Sequence, residues 1–494
     1  MKKYWPLIII LVYFTIQLPF LSADPDTLVD TYSRGPWTDE GGYVSQVKNL
    51  VNHHHFDINE TDCFVLAPFY NILMAPAFFI FGTKLIVGRL VTLFLSLGAV
   101  SLFLLNRKFR HFGIFLSLFV MLEFHIFQFA HYALAEVVCL SLLLFSFYFF
   151  LIACQAKEYR KKIRLIFVSV FFSFLCYFTK ISFTYVIGLV PITAFIIAIR
   201  ESIIKRKFDF RDYRFPCHVL LITVALFGIY FLCWCLPNMD RIRYVLSRLT
   251  TGFYASTVKM VLVDAWYIFI NKFWTNIFRI NLIHFLVFIF FTTVFFTIKK
   301  IKFKNVPLLI FSSVWLLFEL TRMPLHYLPY RYLLGFIFAS GAILSTVYSE
   351  WTYHYGKLQY LFFTLAIIIA FFNLKNNYDA YNRRTFQLGA INNYLADYNL
   401  KDKPVLGSWA STVCWKNKAI VLPVWYKYYN WIDPIKKFNP ALVVTELDES
   451  DSNEAYKNEG IDLNKISDSC RVFDVWNYKL VLYWIKSMKE IRPN

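Results

Sequence analysis

Apolar runs of about 17–22 residues recur through most of this 494-residue chain, and that length crosses the ~30 Å hydrocarbon core of a bilayer as a helix. LIIILVYFTIQLPFL (7–21) and FVSVFFSFLCYF (167–178) are typical. The composition agrees: 58% of residues are hydrophobic, and a soluble domain of this size needs more polar surface. Phe outnumbers Gly, 55 to 16, so the spans are bulky and close small-residue helix contacts are few. Only Met1, Lys2 and Lys3 precede the first run. Leu21-Ser22-Ala23 is a weak cleavage site, so the run reads as a first helix that stays in place.

The net charge of +19 suggests nucleic acid at first sight, but its distribution gives a plainer account. Four short segments between apolar runs are strongly basic: 106–111 (NRKFRH), 155–164 (QAKEYRKKIR), 200–215 and 299–304 (KKIKFK). The positive-inside rule places all four, and the N-terminal Lys pair, in the cytoplasm, and no nucleic-acid partner is expected. Parity then demands an even number of crossings before 106, although three apolar stretches lie there. The middle one, VLAPFYNILMAPAFFIFG, is interrupted by Pro68 and Pro76 and reads as a helix in the outer interface. The predicted crossings are eleven: 4–22, 85–105, 112–129, 132–154, 164–180, 182–199, 216–236, 281–298, 306–321, 331–348 and 358–374. The stretch 253–270 carries Lys259 and Asp264 and reads as a second outer helix; counting it leaves a range of 11–13 spans.

From about residue 400 the apolar runs shorten to strand length: PVLGSW, AIVLPV and ALVVTEL. RVFDVWNYKLVLYWI reads as two alternating segments around a turn near Asn477. The expected architecture is a polytopic α-helical membrane domain (1–375), followed by a linker and a small soluble α/β domain on the extracytoplasmic side (376–494). No internal repeat is visible. Of nine Cys, Cys139, Cys154, Cys176, Cys233 and Cys235 fall inside spans and pack as small hydrophobes. No pair has zinc-ribbon spacing. Cys414 and Cys470 lie in the tail, where an oxidising compartment would allow a disulfide.

Ionisable residues at span ends are the informative ones, because each costs a few kcal/mol if left unpaired in lipid. With this sidedness they collect on the outer face. GPWTDEGGYVSQVKNLV (35–51) holds adjacent carboxylates, Asp39 and Glu40; Asp39 is either an N-cap of the following amphipathic stretch or a functional acid. In FAHYALAEVVCL (129–140), Glu136 lies one turn inside a span and needs a cavity or a cation. Glu123, in the preceding predicted span, is its partner or a structural hydrogen-bonding acid. Lys180, in CYFTKISFTY (176–185), either snorkels or binds a substrate anion. TRMPLHYLPYRYLLG (321–335) places Arg322, His326, Tyr330, Arg331 and Tyr332 in one outer loop. Arg donors form a planar fork that fits phosphate oxygens, whereas the alternative is an aromatic belt with basic anchors. In NHHHF (52–56) three consecutive His diverge, which favours solvated surface over a metal cluster. Asn59-Glu60-Thr61 is a glycosylation sequon, meaningful only in a secretory pathway.

Carboxylates and phosphate-binding cations at an outer membrane surface suit transfer of a sugar from a lipid phosphate. One base takes the acceptor's proton, and cations receive the departing phosphate. A glycosidase needs two apposed carboxyls and no lipid.

The order of features is a first span, a DE-containing outer loop, a Pro-containing outer helix ending in FGTKLIVGRLVTLFLSL (81–97), a basic inner turn, and an acid at the head of a later span, Glu136. This order resembles the GT-C superfamily of membrane glycosyltransferases, with protein O-mannosyltransferase relatives and the lipid A aminoarabinose transferase as look-alikes. The likeness spans most of 1–350. It implies that Asp39, with Glu40 beside it, activates or positions the acceptor, and that Glu136 is the second outer acid. It implies that Lys180 in FTK and Arg331-Tyr332 hold the lipid phosphate. Ala67-Pro68 stands where relatives commonly show two prolines, and His131 where an Arg often precedes the second acid. Some members of that superfamily bind a divalent metal; no cofactor follows from these residues themselves.

The expected function is therefore an inverting glycosyltransferase. It takes a hexosyl or pentosyl unit from a polyprenyl-phosphate donor to a glycolipid, glycan or protein acceptor, in a bacterial plasma membrane with the N-terminus cytoplasmic. Asp39, Glu40 and Glu136 are the catalytic candidates. Lys180, Arg331, Arg322, His326 and Tyr332 are the phosphate-binding candidates. A transporter or flippase of a lipid-linked sugar predicts inverted repeats and charged mid-membrane helices, and neither is visible. A silent assembly subunit would have little reason to keep Asp39, Glu40, Glu136 and Lys180 together.

Overall fold

The computed structural model describes residues 4–29, 33–54, 65–253, 305–322, 329–354, 358–426, 429–447 and 451–486. The predicted span 281–298, nearly all of the stretch 253–270, the KKIKFK turn, the sequon and His326 lie outside the described residues.

Among the described residues, helices dominate up to Asn382. They are α1 (Trp5–Gln17), α2 (Gly35–His53), α3 (Phe69–Phe81), α4 (Leu85–Leu105), α5 (Arg110–Leu116), α6 (Phe124–Phe129) and α7 (Ala135–Gln155). After these come α8 (Tyr159–Thr179), α9 (Val186–Lys205), α10 (Phe210–Tyr230), α11 (Met239–Phe253), α12 (Val306–Leu320), α13 (Leu334–His354) and α14 (Leu358–Asn382). Among the described residues, five stretches are long and apolar enough to cross a membrane: Leu85–Leu105, Ala135–Gln155, Tyr159–Thr179, Ile181–Lys205 and Phe210–Cys235. The chain is an integral membrane protein; the total of eleven crossings is still an expectation from loop charge.

Helix α7 is apolar on every side and accordingly lies at the centre, buried along most of its length. Polar contacts fix it to α8: the Ser146 hydroxyl lies 3.2 Å from Ser169 and 2.9 Å from Ser173. Helix α3 has only 13 residues, fewer than a crossing needs, and shows Ile72, Phe79, Ile80 and Phe81 on its outside.

The predicted span 112–129 is not one helix. Helix α5 runs into a π-helical segment, Ser117–Met121, and the chain turns before α6. Glu123 makes that turn, its carboxylate accepting the Ile126 amide at 2.8 Å while lying 3.0 Å from His125 Nδ1. It is a helix cap, the structural alternative of the two open to it, and not a partner of Glu136. Helix α14 continues past residue 375 to Asn382, so the expected boundary falls inside a helix.

The C-terminal part forms a five-stranded sheet from β1 (Pro404–Leu406), β2 (Ile420–Leu422), β3 (Leu442–Glu446), β4 (Ser467–Val475) and β5 (Tyr478–Ile485), in the order β2-β1-β3-β5-β4. The first three are parallel, with Val405 opposite Val421 and Leu442, whereas β5 runs antiparallel to β3 and β4. Trp476, at φ +53°, turns the β4–β5 hairpin beside Asn477. Cys414 is buried and Cys470 exposed on β4, and each is unbridged.

Helix α2 joins the sheet to the membrane helices. Trp37 stacks on Trp476 with centroids 5.0 Å apart. The Thr412 hydroxyl donates to the Trp37 carbonyl at 2.8 Å. Asn49 exchanges two hydrogen bonds with the Val421 backbone, at 3.0 and 3.1 Å, as an added strand would. Buried Lys48 donates to the Cys414 carbonyl, and burial pulls its ammonium down to about 8. Gly41 faces the Ser411 backbone so closely that any Cβ would collide with it.

On the membrane side, α2 is fixed by Glu40. Its carboxylate takes a bidentate pair from Arg89 of α4, Nη2 at 2.6 Å and Nε at 2.9 Å, and also accepts the Ala133 amide at 2.7 Å. Arg89 Nη1 donates to the carbonyls of Ala23 (2.7 Å) and Leu21 (3.1 Å). Both side chains are essentially without solvent contact. Removing one partner of such a pair strands the other charge, at a cost of about 3–5 kcal/mol. Glu40→Gln should therefore lower the thermal unfolding temperature of the detergent-purified chain sharply, and an unchanged temperature would refute this role.

Candidate active site

Helix α2 begins at Gly35, so Asp39 stands inside it and is not its N-cap. Neighbouring helical residues diverge by about 100°, whereas i and i+4 share a face. Asp39 and Tyr43 therefore look one way and Glu40 another. Glu40 is committed to Arg89 and does not stand beside Asp39 as its substitute.

Around Asp39 the structure gathers Glu136, Lys180, Arg331 and Tyr332. Arg331 lies in a tight turn, Tyr330–Tyr332, just before α13. Its Nη2 is 3.1 Å from Asp39 Oδ2 and its Nε 3.3 Å from Glu136 Oε1, so one guanidinium serves two acids. Its Nη1 donates to the Ser33 hydroxyl at 2.9 Å. Gly35 makes room, since a Cβ there would collide with the guanidinium. Lys180, in extended backbone after α8, donates to Glu136 Oε1 at 2.7 Å and to the Tyr43 hydroxyl at 2.6 Å.

The two acids differ in access. The Asp39 side chain is 26% exposed and that of Glu136 is 0% exposed, so of the two acids Asp39 is the one open to solvent. Burial within the protein raises the Asp39 carboxyl above its ordinary value, with Arg331 and Lys180 pulling against it. Glu136 Oε2 is buried and, among the described residues, without a hydrogen-bond partner.

Arg322 stands next to this group. The Tyr332 ring has Lys180 Nζ 5.1 Å, the Arg331 guanidinium 5.4 Å and the Arg322 guanidinium 5.8 Å from its centroid. Arg322 Nη1 donates to Glu319 Oε2 at 3.0 Å. The structure thus brings Asp39, Glu136, Lys180, Arg331, Arg322 and Tyr332 together and sets Glu40 apart.

Among the described residues no group of three or more His, Cys, Asp or Glu could hold a metal ion. The two acids of the site already share a guanidinium, so this donor set does not fit a divalent cation. His53 pairs with Asp402 at 2.8 Å and His54 ends α2 in the left-handed region. His131 hydrogen-bonds Gln17 Oε1 at 2.7 Å.

Sequence reading missed Tyr43, Ser33, Arg89 and Glu319. Arg89 and Glu319 had a visible signal, each being a charge inside an apolar helix. Tyr43 sits four residues after Asp39, which matters only once that stretch is known to be helical.

No family model and no curated protein matches this chain. Solved structures do. The crystal structure of ArnT from Cupriavidus metallidurans bound to undecaprenyl phosphate aligns with a TM-score of 0.63 at 11% identity, covering 98% of both chains. The apo state of the same protein aligns with a TM-score of 0.63 at 12% identity, covering 97% of this chain and 98% of that one. The chain is therefore similar in fold to that protein over nearly all of its length, as the resemblance to the GT-C superfamily implies.

Proposed function

We propose that this chain is a glycosyltransferase that moves one sugar, a hexosyl or pentosyl unit, from a polyprenyl-phosphate donor to an acceptor hydroxyl of a glycolipid, glycan or protein. The observation that carries the reading is the grouping itself. One reachable carboxylate, Asp39, meets two cations at the heads of apolar helices, in a fold shared with a protein crystallised with undecaprenyl phosphate. Loop charge puts this end of the helices, and the sheet beside it, on the extracytoplasmic face.

In this reading Asp39 Oδ accepts the proton of the acceptor hydroxyl. The acceptor oxygen forms a bond to the anomeric carbon as the bond from that carbon to the phosphate oxygen breaks. The electron pair leaves with the phosphate, so the lipid monoester carries one more negative charge than the donor, and the proton stays on Asp39. Lys180, Arg331 and Arg322 receive that charge, with Tyr332 between them and His326 as the remaining candidate from the same loop. Glu136 holds Lys180 and Arg331 in place and turns Oε2 toward a donor or acceptor hydroxyl. A single displacement by the acceptor oxygen at the anomeric carbon inverts that centre. Residues 1–375 would supply the donor site, and 376–494 the outer cover.

The test is incubation of membranes with labelled polyprenyl-phosphate sugars and identification of the labelled acceptor. Asp39→Asn should reduce transfer by about 10²–10⁴-fold while the protein still inserts and folds. A fully active variant would sink the assignment, and movement of donor between leaflets without product would favour a transporter.

Titration gives a second test. The base form is the deprotonated one, so the rate should rise with pH through an inflection above the ordinary carboxylate range. Arg331 favours the ionised form of Asp39, so Arg331→Gln should move that inflection further up. Initial rates across pH would show this, and an inflection that stays in place would refute the pairing.

A further inference from the structure

The guanidinium of Arg322 is unusually placed. Its Nη1 is spent on Glu319 Oε2 at 3.0 Å. Its Nε and Nη2 are buried and, among the described residues, have no hydrogen-bond partner. These two donors form one edge of the guanidinium, the planar fork that fits two oxygens of a single phosphate or carboxylate. Burying them unpaired is costly, and native structures seldom leave such donors without a reason.

Glu319 is itself held firmly. Its Oε1 accepts the Tyr185 hydroxyl and, at 3.3 Å, the Trp315 indole N–H. It is 1% exposed, and Gly335 of α13 presses so closely that a Cβ would collide with the carboxylate. The Phe183 ring, 5.0 Å from the Arg322 guanidinium, limits that group further. A fixed acid thus fixes the orientation of the fork.

The other two cations of the site are differently occupied. Lys180 is engaged by Glu136 and Tyr43, and Arg331 by Asp39, Glu136 and Ser33. An incoming anion would have to compete with carboxylates for either of them. At Arg322 it meets two donors without a competitor.

We infer that the Nε–Nη2 edge of Arg322 is the seat of the donor phosphate in the resting site, and that Glu319 is the positioning residue that aims it. The inference rests on the lipid-phosphate donor reading. It departs from what the family resemblance implies, which puts the phosphate on Lys180 and Arg331. All three cations take up charge as the phosphate leaves; Arg322 seats it on arrival.

The test is binding of undecaprenyl phosphate to the full chain in detergent, together with donor and acceptor KM and thermal unfolding. Arg322→Lys keeps the charge and loses the fork, and should weaken undecaprenyl phosphate binding by about 10- to 100-fold, the worth of a charge-assisted hydrogen-bond pair. Donor KM should rise while acceptor KM holds. Glu319→Gln, close in shape, should raise donor KM as well, because it frees the guanidinium to turn. Tyr185→Phe, which leaves every charge in place, should do so more weakly. A variant that only loosened the fold would instead lower the unfolding temperature and affect both substrates. Wild-type-like binding in both Arg322→Lys and Glu319→Gln would overturn the inference and leave the donor reading intact. Failure of the wild-type chain to bind undecaprenyl phosphate at all would overturn the donor reading, and this inference with it.

Discussion

Arg89 lies inside an apolar helix, where an unpaired guanidinium would cost several kcal/mol, and so its position is set by what satisfies it. Glu40 supplies the charge, and the carbonyls that follow α1 supply the remaining acceptors. The same carboxylate takes the Ala133 amide, just upstream of α7. One buried pair therefore ties together α1, α2, α4 and the approach to α7. Asp39 is the residue before Glu40, and Glu136 stands three residues after Ala133. The distance between the two acids of the site is thus governed from a point outside the site. The adjacency of Asp39 and Glu40 is a division of labour: one residue is held so that its neighbour is placed.

The second constraint is that α2 has no face left for solvent alone. One side packs on the membrane helices, and another receives the sheet through Trp37, Gly41, Lys48 and Asn49. The small domain is therefore a continuation of the site's wall. Arg34, at the head of α2, pairs with Glu446 of β3 and stacks over Trp425, so sheet residues come close to Asp39. In the proposed reaction, acceptor choice would lie on that side, because a lipid donor would enter from the side facing the helices.

Much of this was legible in the sequence, and the parts that were not share a cause. The strand segments were visible because alternation survives in each, and Glu136 because a carboxylate in an apolar run has few innocent explanations. The break at Glu123 was hidden, since a short enclosed helix is as apolar as a spanning one; only the acid marked it. Asp39 and Glu40 looked like partners because sequence adjacency carries no direction. Their divergence follows from helix geometry, which depends on where α2 begins. Arg322 was legible as a cation beside aromatic rings, but its unpaired edge depends on which of its donors Glu319 of α12 takes up, and packing decides that.

Charge balance ties these features to the proposed chemistry. In the resting site, Asp39 and Glu136 face Lys180 and Arg331, and Glu319 faces Arg322, so carboxylates and cations are evenly matched. A phosphodiester donor brings one negative charge and leaves as a monoester with two. That added charge needs a cation that was not available before. The acceptor's proton provides one, because on reaching Asp39 it cancels the charge that held Arg331 Nη2. In the proposed reaction Arg331 would then turn its charge from Asp39 toward the phosphate. In that reading the negative charge moves from the base to the leaving group. The sharing of one Arg by an exposed and an enclosed acid is the arrangement that allows it: Glu136 keeps the guanidinium in place while its contact with Asp39 is given up.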